Sequence, residues 1–325
     1  MFSIEQSIKD QFVAVANHIS YPLFPENLYT PIQYINTLGG KRLRPLLLLL
    51  ANDLFGGKIE QAMPAALAVE WFHNFTLMHD DIMDNAPMRR GNATVHVKWD
   101  TNTAILSGDV MLVKAYQFLQ ELHPTVLPQV FTLFNQTAVE VCEGQQLDMN
   151  FEHRNEVDVE EYLQMIRLKT SVLLAASLKM GAIIAGANSK DADLLYQVGE
   201  NVGVAFQLQD DLLDVYGNPS QFGKQVGGDI LANKKTFLLL QAQRRASLEQ
   251  QKQIDYWLQK TSFEPLEKIN AMVGLYEQLN IRAIVLEQIN YYTNSALEAL
   301  TAIDLPKSHK LRLEQLLFQL LVREH

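Results

Sequence analysis

Apolar residues recur at three- and four-residue spacing through most of the 325-residue chain, the period of helices that turn one face to a core. Alternating apolar and polar runs bounded by turn residues are almost absent, so the pattern predicts helices and no convincing strands. Breaker residues punctuate the helices. Pro22, Pro25 and Pro31 interrupt the early chain, Gly56-Gly57 closes a leucine-rich helix, and Pro64 stands near the start of the next. That next helix is predicted to run through Ala65–Asp84 and to stop before Pro87, with a polar loop from Asn85 to Thr94. A second loop is predicted between Asn218-Pro219 and Gly227-Gly228, and Pro306 separates two amphipathic helices near the C-terminus. The most linker-like stretch, His153 to Val159, is short and joins two helical patterns of similar composition. The expectation is therefore a single all-α domain over residues 1–325. Leu46 to Leu50 is far shorter than the roughly 20 residues of a membrane span. The apolar stretch Thr170 to Ala187 contains Lys179 and reads as a buried helix or subunit interface.

Composition narrows the possibilities. With 48% hydrophobic and 20% charged residues the chain is that of a globular protein, not a disordered one. The formal charge of −10 argues against a uniformly basic nucleic-acid surface. Cys142 is the one cysteine, so no intramolecular disulfide forms, and its apolar neighbours predict a small core residue. This usage fits a reducing compartment, and the expected location is cytoplasmic. The first residues, with Glu5, Lys9 and Asp10, do not read as a secretory signal.

Two acidic clusters carry the chemistry: Asp80-Asp81-Ile82-Met83-Asp84 and Asp210-Asp211-Leu212-Leu213-Asp214. On a helix, residues four apart share a face, so Asp80 pairs with Asp84 and Asp210 with Asp214, while Asp81 and Asp211 point elsewhere. Apolar residues flank both clusters, and carboxylates on such helices are rarely buried without partners. Two carboxylates about 4 Å apart repel by about 4 kcal/mol in an effective dielectric of roughly 20, which a cation would offset. Magnesium takes oxygen ligands and joins one or two carboxylates to substrate phosphates. A solvated acidic helix face is the plain alternative for one cluster, and a second cluster of the same spacing weakens it. Calcium loops starting at Asp80 or Asp210 fail, because Ile82 with Gly91, or Leu212 with Gln221, occupy ligand positions. Glu70-Trp71-Phe72-His73 is a lone element of a di-iron pattern that needs two.

Basic residues accompany the acids. Gly39-Gly40-Lys41-Arg42-Leu43-Arg44-Pro45 leads into a helix, Arg89-Arg90-Gly91 follows the first cluster, Lys169-Thr170 opens an apolar helix, and Lys224, Lys234 and Lys235 follow the second cluster. Arginine binds phosphate oxygens bidentately and lysine acts as a point charge. Each group alone is equally a surface charge or salt bridge.

Taken in order, these motifs resemble the trans-isoprenyl diphosphate synthases, or polyprenyl synthetases. The likeness is carried by Gly40-Lys41-Arg42-Leu43-Arg44-Pro45, His73, His79 to Asp84, Arg89-Arg90-Gly91, Gly144-Gln145, Lys169-Thr170, Phe206 to Asp211, Gly223-Lys224, Gly228-Asp229 and Asn233-Lys234-Lys235. The resemblance implies an all-α bundle around a deep central cavity, in the isoprenoid synthase fold, and usually a homodimer. It implies a Mg2+-dependent prenyltransferase that joins isopentenyl diphosphate to an allylic diphosphate, with three ions held by Asp80, Asp84 and Asp210 and supported by Asp214. Arg89, Lys169, Lys224 and Lys234 would contact the allylic diphosphate, with Lys235 the alternative to Lys234. Lys41, Arg44, His73 and Arg90 would hold isopentenyl diphosphate, and Thr170 and Gln207 would face the allylic cation. Gln145 and Asp148 are candidates to support these groups, and His79 reads as structural.

Phe75 precedes Asp80 by five residues, roughly 7.5 Å along a helix axis, and Phe72 and Trp71 lie deeper. In the family, bulk at the Phe75 position tends to block long products; position 76 is Thr and nothing is inserted in the first cluster. This pattern resembles short-chain enzymes making geranylgeranyl or farnesyl diphosphate. Terpene cyclases usually replace the second aspartate cluster with an Asn/Ser/Glu motif, and regulatory subunits typically lose aspartates; this chain keeps both clusters.

Overall fold

The computed structural model describes residues 4–217 and 227–321. Its helices are α1 (Ile4–Asn17), α2 (Glu26–Thr37), α3 (Leu43–Leu54), α4 (Ile59–Met83), α5 (Val95–Lys98), α6 (Thr101–Leu119), α7 (Leu127–His153), α8 (Val159–Ile166), α9 (Val172–Ile184) and α10 (Ser189–Tyr216). They continue with α11 (Gly228–Leu231), α12 (Phe237–Arg245), α13 (Leu248–Gln259), α14 (Pro265–Gln278), α15 (Ile281–Ala302) and α16 (Lys307–Leu321). The all-α expectation holds, with one correction. Within the expected polar loop, β1 (Met88–Arg89) and β2 (Asn92–Ala93) form an antiparallel hairpin, the only strands among the described residues. Two-residue strands are too short to show alternation, so periodicity could not find them.

Contacts gather the chain into two compact units. One takes the chain through Thr137 with Leu173–Tyr196 and Ile303–Leu313; the other takes Ala138–Val172, Gln197–Ala302 and the C-terminal helix from Glu314. In the first unit α4 is the central element and packs against α3 and α6. It buries every residue from Ala65 to Phe72, all apolar except Glu70, so it has little amphipathic character there. The leucine run of α3 is buried as well. A glycine at the crossing lets α9 approach α3: a Cβ on Gly181 would lie 2.1 Å from the Leu48 carbonyl oxygen. In the second unit α12 packs against α8, α14 and α15.

Two helix ends follow the expected punctuation, but Pro31 does not break the chain, lying buried inside α2, and α4 begins at Ile59, five residues before Pro64. α4 closes at Met83 with Asp84 as its C-cap, and α3 ends just before Gly56, whose φ of 74° is left-handed. Cys142 corrects a second expectation, because it is exposed. It lies one turn beyond Val139, itself 59% exposed, on the outward face of α7. No described helix is long and apolar enough to cross a membrane.

Candidate active site

In the first unit a set of arginines converges on the loop before α3. Gly39 and Gly40 have positive φ, and Arg42 is left-handed at φ 51° as it enters the helix. Arg42 is fixed there by a buried ion pair to Glu70 at 2.5 Å and by donating to the Asn36 carbonyl. The β1–β2 turn has positive φ at Arg90 (53°) and Gly91 (76°), as a type I′ turn requires. It carries the Arg90 guanidinium over the loop, where Arg90 donates to the Gly39 carbonyl. The guanidinium occupies the space a side chain at Gly40 would need, with its atoms 2.7–2.9 Å from an ideal Cβ.

Below this loop Arg44 Nη1 lies 3.1 Å from His73 Nε2. Burial, followed by the charges of Arg44, Arg90, Arg89 and Arg42, holds His73 well below the ordinary imidazole range. The ring is therefore neutral and Nε2 accepts from Arg44, which leaves the proton on Nδ1. Burial also pushes Arg44 down to about 10, and its Nε is buried with no partner. Among the described residues neither Arg44 nor Arg90 makes an ion pair, in contrast to Arg42 and Arg89. Positive charge therefore accumulates at this loop, a chemistry that suits phosphate oxygens.

The first aspartate cluster occupies the last turn of α4, where the helix dipole adds partial negative charge. Its members divide. Asp81 is 2% exposed, and Arg89 Nε donates to both its oxygens at 2.8 Å, with Arg89 Nη2 2.7 Å from Oδ1. Asp80 is half-buried and 3.7 Å from Arg89 Nη2, and Asp84 is exposed. The expectation that Asp81 turns away from its neighbours thus has a cause: it anchors Arg89.

The second unit shows the same division. Asp211 is 4% exposed and accepts from the Tyr162 hydroxyl of α8 and from Gln207 Nε2 at 3.3 Å. Burial pushes its carboxyl up to about 7, with Tyr162 and Lys234 opposing and Asp229 adding to the rise. Asp210 and Asp214 are half-buried, and Asp214 accepts from the Asp229 backbone at 3.0 Å, which ties α11 to α10. Lys234 is exposed and close enough to Asp211 to lower its pKa, whereas Lys235 Nζ donates to the Phe151 carbonyl at 2.7 Å. Lys224 lies outside the described residues.

Between α8 and α9 the chain widens into a π-helical turn, Arg167–Ser171, a form frequent at functional sites. Sequence reading expected Lys169-Thr170 to open a regular helix, and the wider turn replaces that opening. Lys169 Nζ pairs with Asp148 at 2.7 Å. Thr170 Oγ1 donates to Gln207 Oε1 at 3.4 Å, so the Gln207 amide is oriented from both ends. Two glycines clasp the turn: a Cβ on Gly144 would lie 2.2 Å from Lys169 N, and one on Gly203 would lie 2.5 Å from Ser171 Cα.

The model of the polyprenyl synthetase family matches residues 25–276. The chain belongs to the polyprenyl synthetases. A geranylgeranyl diphosphate synthase of Methanosarcina mazei is 44% identical over 220 residues, 67% of this chain and 68% of the relative. A geranylfarnesyl diphosphate synthase of Natronomonas pharaonis is 40% identical over 237 residues, 67% of this chain and 69% of the relative. A crystal structure of a geranylgeranyl pyrophosphate synthase superposes with a TM-score of 0.95 at 43% identity, covering 100% of both chains. This polyprenyl synthetase is accordingly a prenyltransferase with short-chain products.

The partners of Glu70, Tyr162 and Asp229 escaped sequence reading, although Glu70 and Asp229 lie in stretches it named. Each acts across a gap in sequence, 28 residues for Arg42–Glu70 and 49 for Tyr162–Asp211, and no local spacing marks them.

Proposed function

We propose that this polyprenyl synthetase condenses isopentenyl diphosphate head to tail with dimethylallyl, geranyl or farnesyl diphosphate, giving geranylgeranyl or farnesyl diphosphate. The observation that carries the reading is the division within each acidic cluster. The buried middle acids are held by Arg89 and by Tyr162, while the outer pairs, Asp80 with Asp84 and Asp210 with Asp214, are half-buried or exposed and offer carboxylate oxygens.

This donor set fits magnesium. No group of three His, Cys, Asp or Glu side chains among the described residues encloses an ion. Magnesium needs no such cage, since it keeps waters and shares phosphate oxygens with one or two carboxylates. Asp80, Asp84 and Asp210, with Asp214 in support, would hold three Mg2+ ions. When bound, these supply Lewis-acid stabilisation of charge on the departing diphosphate.

Arg89, Lys169, Lys224 and Lys234 bind the allylic diphosphate and add preorganised positive charge. Lys234 is preferred to Lys235 because Lys235 is engaged by Phe151. The Thr170 hydroxyl and the Gln207 carbonyl direct dipoles at the allylic cation without capturing it. Lys41, Arg44, Arg90 and the Nδ1–H of neutral His73 hold isopentenyl diphosphate, whose double bond attacks; the released diphosphate then takes the proton. Apolar walls exclude water, which would otherwise trap the cation.

The family model passes through residues of both compact units, which supports one domain over 1–325. The proposed assembly is a homodimer, supported by exposed Leu106 and Val113, seven residues apart on one face of α6, and the proposed location is cytoplasmic. Purified protein, magnesium, labelled isopentenyl diphosphate and each allylic primer should yield elongated diphosphates. A folded sample that turns over none of the primers would sink the reading.

A further inference from the structure

Lys234 leaves α11 through a tightly closed turn. Asn233 has a left-handed φ of 54°. Its N–H reaches the Ile230 carbonyl at 3.2 Å, and the N–H of Lys234 reaches the Asp229 carbonyl at 2.9 Å. This pair of bonds is a Schellman closure, with Asn233 in the place glycine most often takes. The Lys234 carbonyl accepts in turn from Thr236 N at 2.9 Å. The turn that Asn233 makes therefore sets the Lys234 backbone at both ends.

The Asn233 side chain is held from two other elements. Its Nδ2 donates to the Leu258 carbonyl of α13 at 3.0 Å, and its Oδ1 accepts from Lys268 Nζ of α14 at 2.6 Å. One end of the amide meets an acceptor and the other a cation, so the group has a single orientation. Lys268 is 0% exposed, and its ammonium lies 4.4 Å from the centre of the Phe263 ring. Among the described residues it has no acidic partner. Burying a lysine without a carboxylate is costly, and an apolar side chain of similar length would fill the same space. What the lysine adds is a charge-assisted hydrogen bond to Asn233.

We propose that Lys268 is a positioning residue for the allylic diphosphate, acting through Asn233 to fix Lys234. The inference rests on the function proposed above, in which Lys234 binds that diphosphate. Fully buried, Lys268 meets no substrate itself, and its effect passes through the turn. Without its ammonium, the Asn233 amide is held only at Leu258. The turn then loosens, and Lys234 no longer meets the diphosphate in one geometry.

The test measures kcat and KM for each substrate in the full chain with magnesium, for Lys268→Met, Lys234→Ala and the double variant. Lys268→Met keeps side-chain length and removes the ammonium. It should lower kcat/KM for the allylic substrate about tenfold and leave the KM for isopentenyl diphosphate within about twofold of the parent. On the Lys234→Ala background the same substitution should change the allylic kcat/KM by less than about twofold, because the group it positions is gone. A merely structural role would impair both substrates together and add its full loss in the double variant. Either of those results overturns the inference, as do parent kinetics in Lys268→Met. Where Lys268→Met does not fold, Asn233→Gly probes the same contact, since glycine accepts the left-handed backbone and lacks the amide. It should show the same loss confined to the allylic substrate, and parent kinetics there overturn the inference. A parent protein that turns over no primer overturns the proposed function and this inference with it, a result distinct from an active parent with an unaltered Lys268→Met.

Discussion

Gly144 of α7 lies so close to the π-helical turn that a Cβ there would come within 2.2 Å of the Lys169 backbone nitrogen. The atoms in the way are backbone, so relief requires the turn itself to move. Gly144→Ala should cost about 1–3 kcal/mol of stability. It should also lower kcat at least tenfold, because Lys169 and Thr170 would leave their places. A melting temperature and kcat equal to the parent protein would refute this.

Glu70 compensates a buried arginine that shapes the loop before α3. Glu70→Ala should destabilise the protein by about 3–5 kcal/mol, because Arg42 is left buried and unpaired. With Arg42 loosened, the KM for isopentenyl diphosphate should rise more than that for the allylic substrate. Denaturant titration and separate KM measurements check the two parts.

The paired lysines after α11 should separate in kinetics. Lys234→Ala should lower kcat/KM for the allylic substrate roughly a hundredfold, the scale of losing charge stabilisation at a departing anion. Lys235→Ala should leave kinetics near normal and cost about 1 kcal/mol through its lost hydrogen bond to Phe151. Equal kinetic defects would reject the assignment.

His73 gives stability a pH dependence in the ligand-free protein. Its folded pKa lies well below 6.5, the ordinary value that applies to the unfolded chain. Between those two values the unfolded chain binds a proton that the folded chain refuses, so stability falls as pH drops below 6.5 and returns as pH rises. His73→Gln retains an acceptor for Arg44 and does not titrate. From about pH 7 to about pH 5.5, its melting temperature should fall less than that of the parent protein. Parallel curves would show that His73 is not the titrating group.

Much of this was legible in the chain. Helical periodicity and Gly and Pro punctuation marked most elements, because burial of one helix face and the missing Pro donor act locally. Four-residue spacing predicted that Asp81 and Asp211 turn from their neighbours, but not toward what. Their partners, Arg89 and Tyr162, depend on which helices meet, and that is decided by packing. The π-helical turn was hidden for the same reason: it depends on Gly144 and Gly203 approaching from other helices. Cys142 sits in an apolar stretch, yet its angular position on α7 puts it outside. Residue type sets the prior, and the geometry of the helix decides the outcome.

The hairpin after α4 has a consequence for what the motif tolerates. Arg89 and Arg90 are adjacent, yet one reaches Asp81 and the other the Gly39 carbonyl. The strand-to-turn transition between them works as a ruler, converting one peptide step into a fixed separation between two grips, one on Asp81 and one on the Gly39 carbonyl. Such a ruler is sensitive to length more than to composition. One residue inserted between Met88 and Gly91 would shift the register by one and turn each side chain to the opposite face. Both arginines would remain in the chain while both grips were lost.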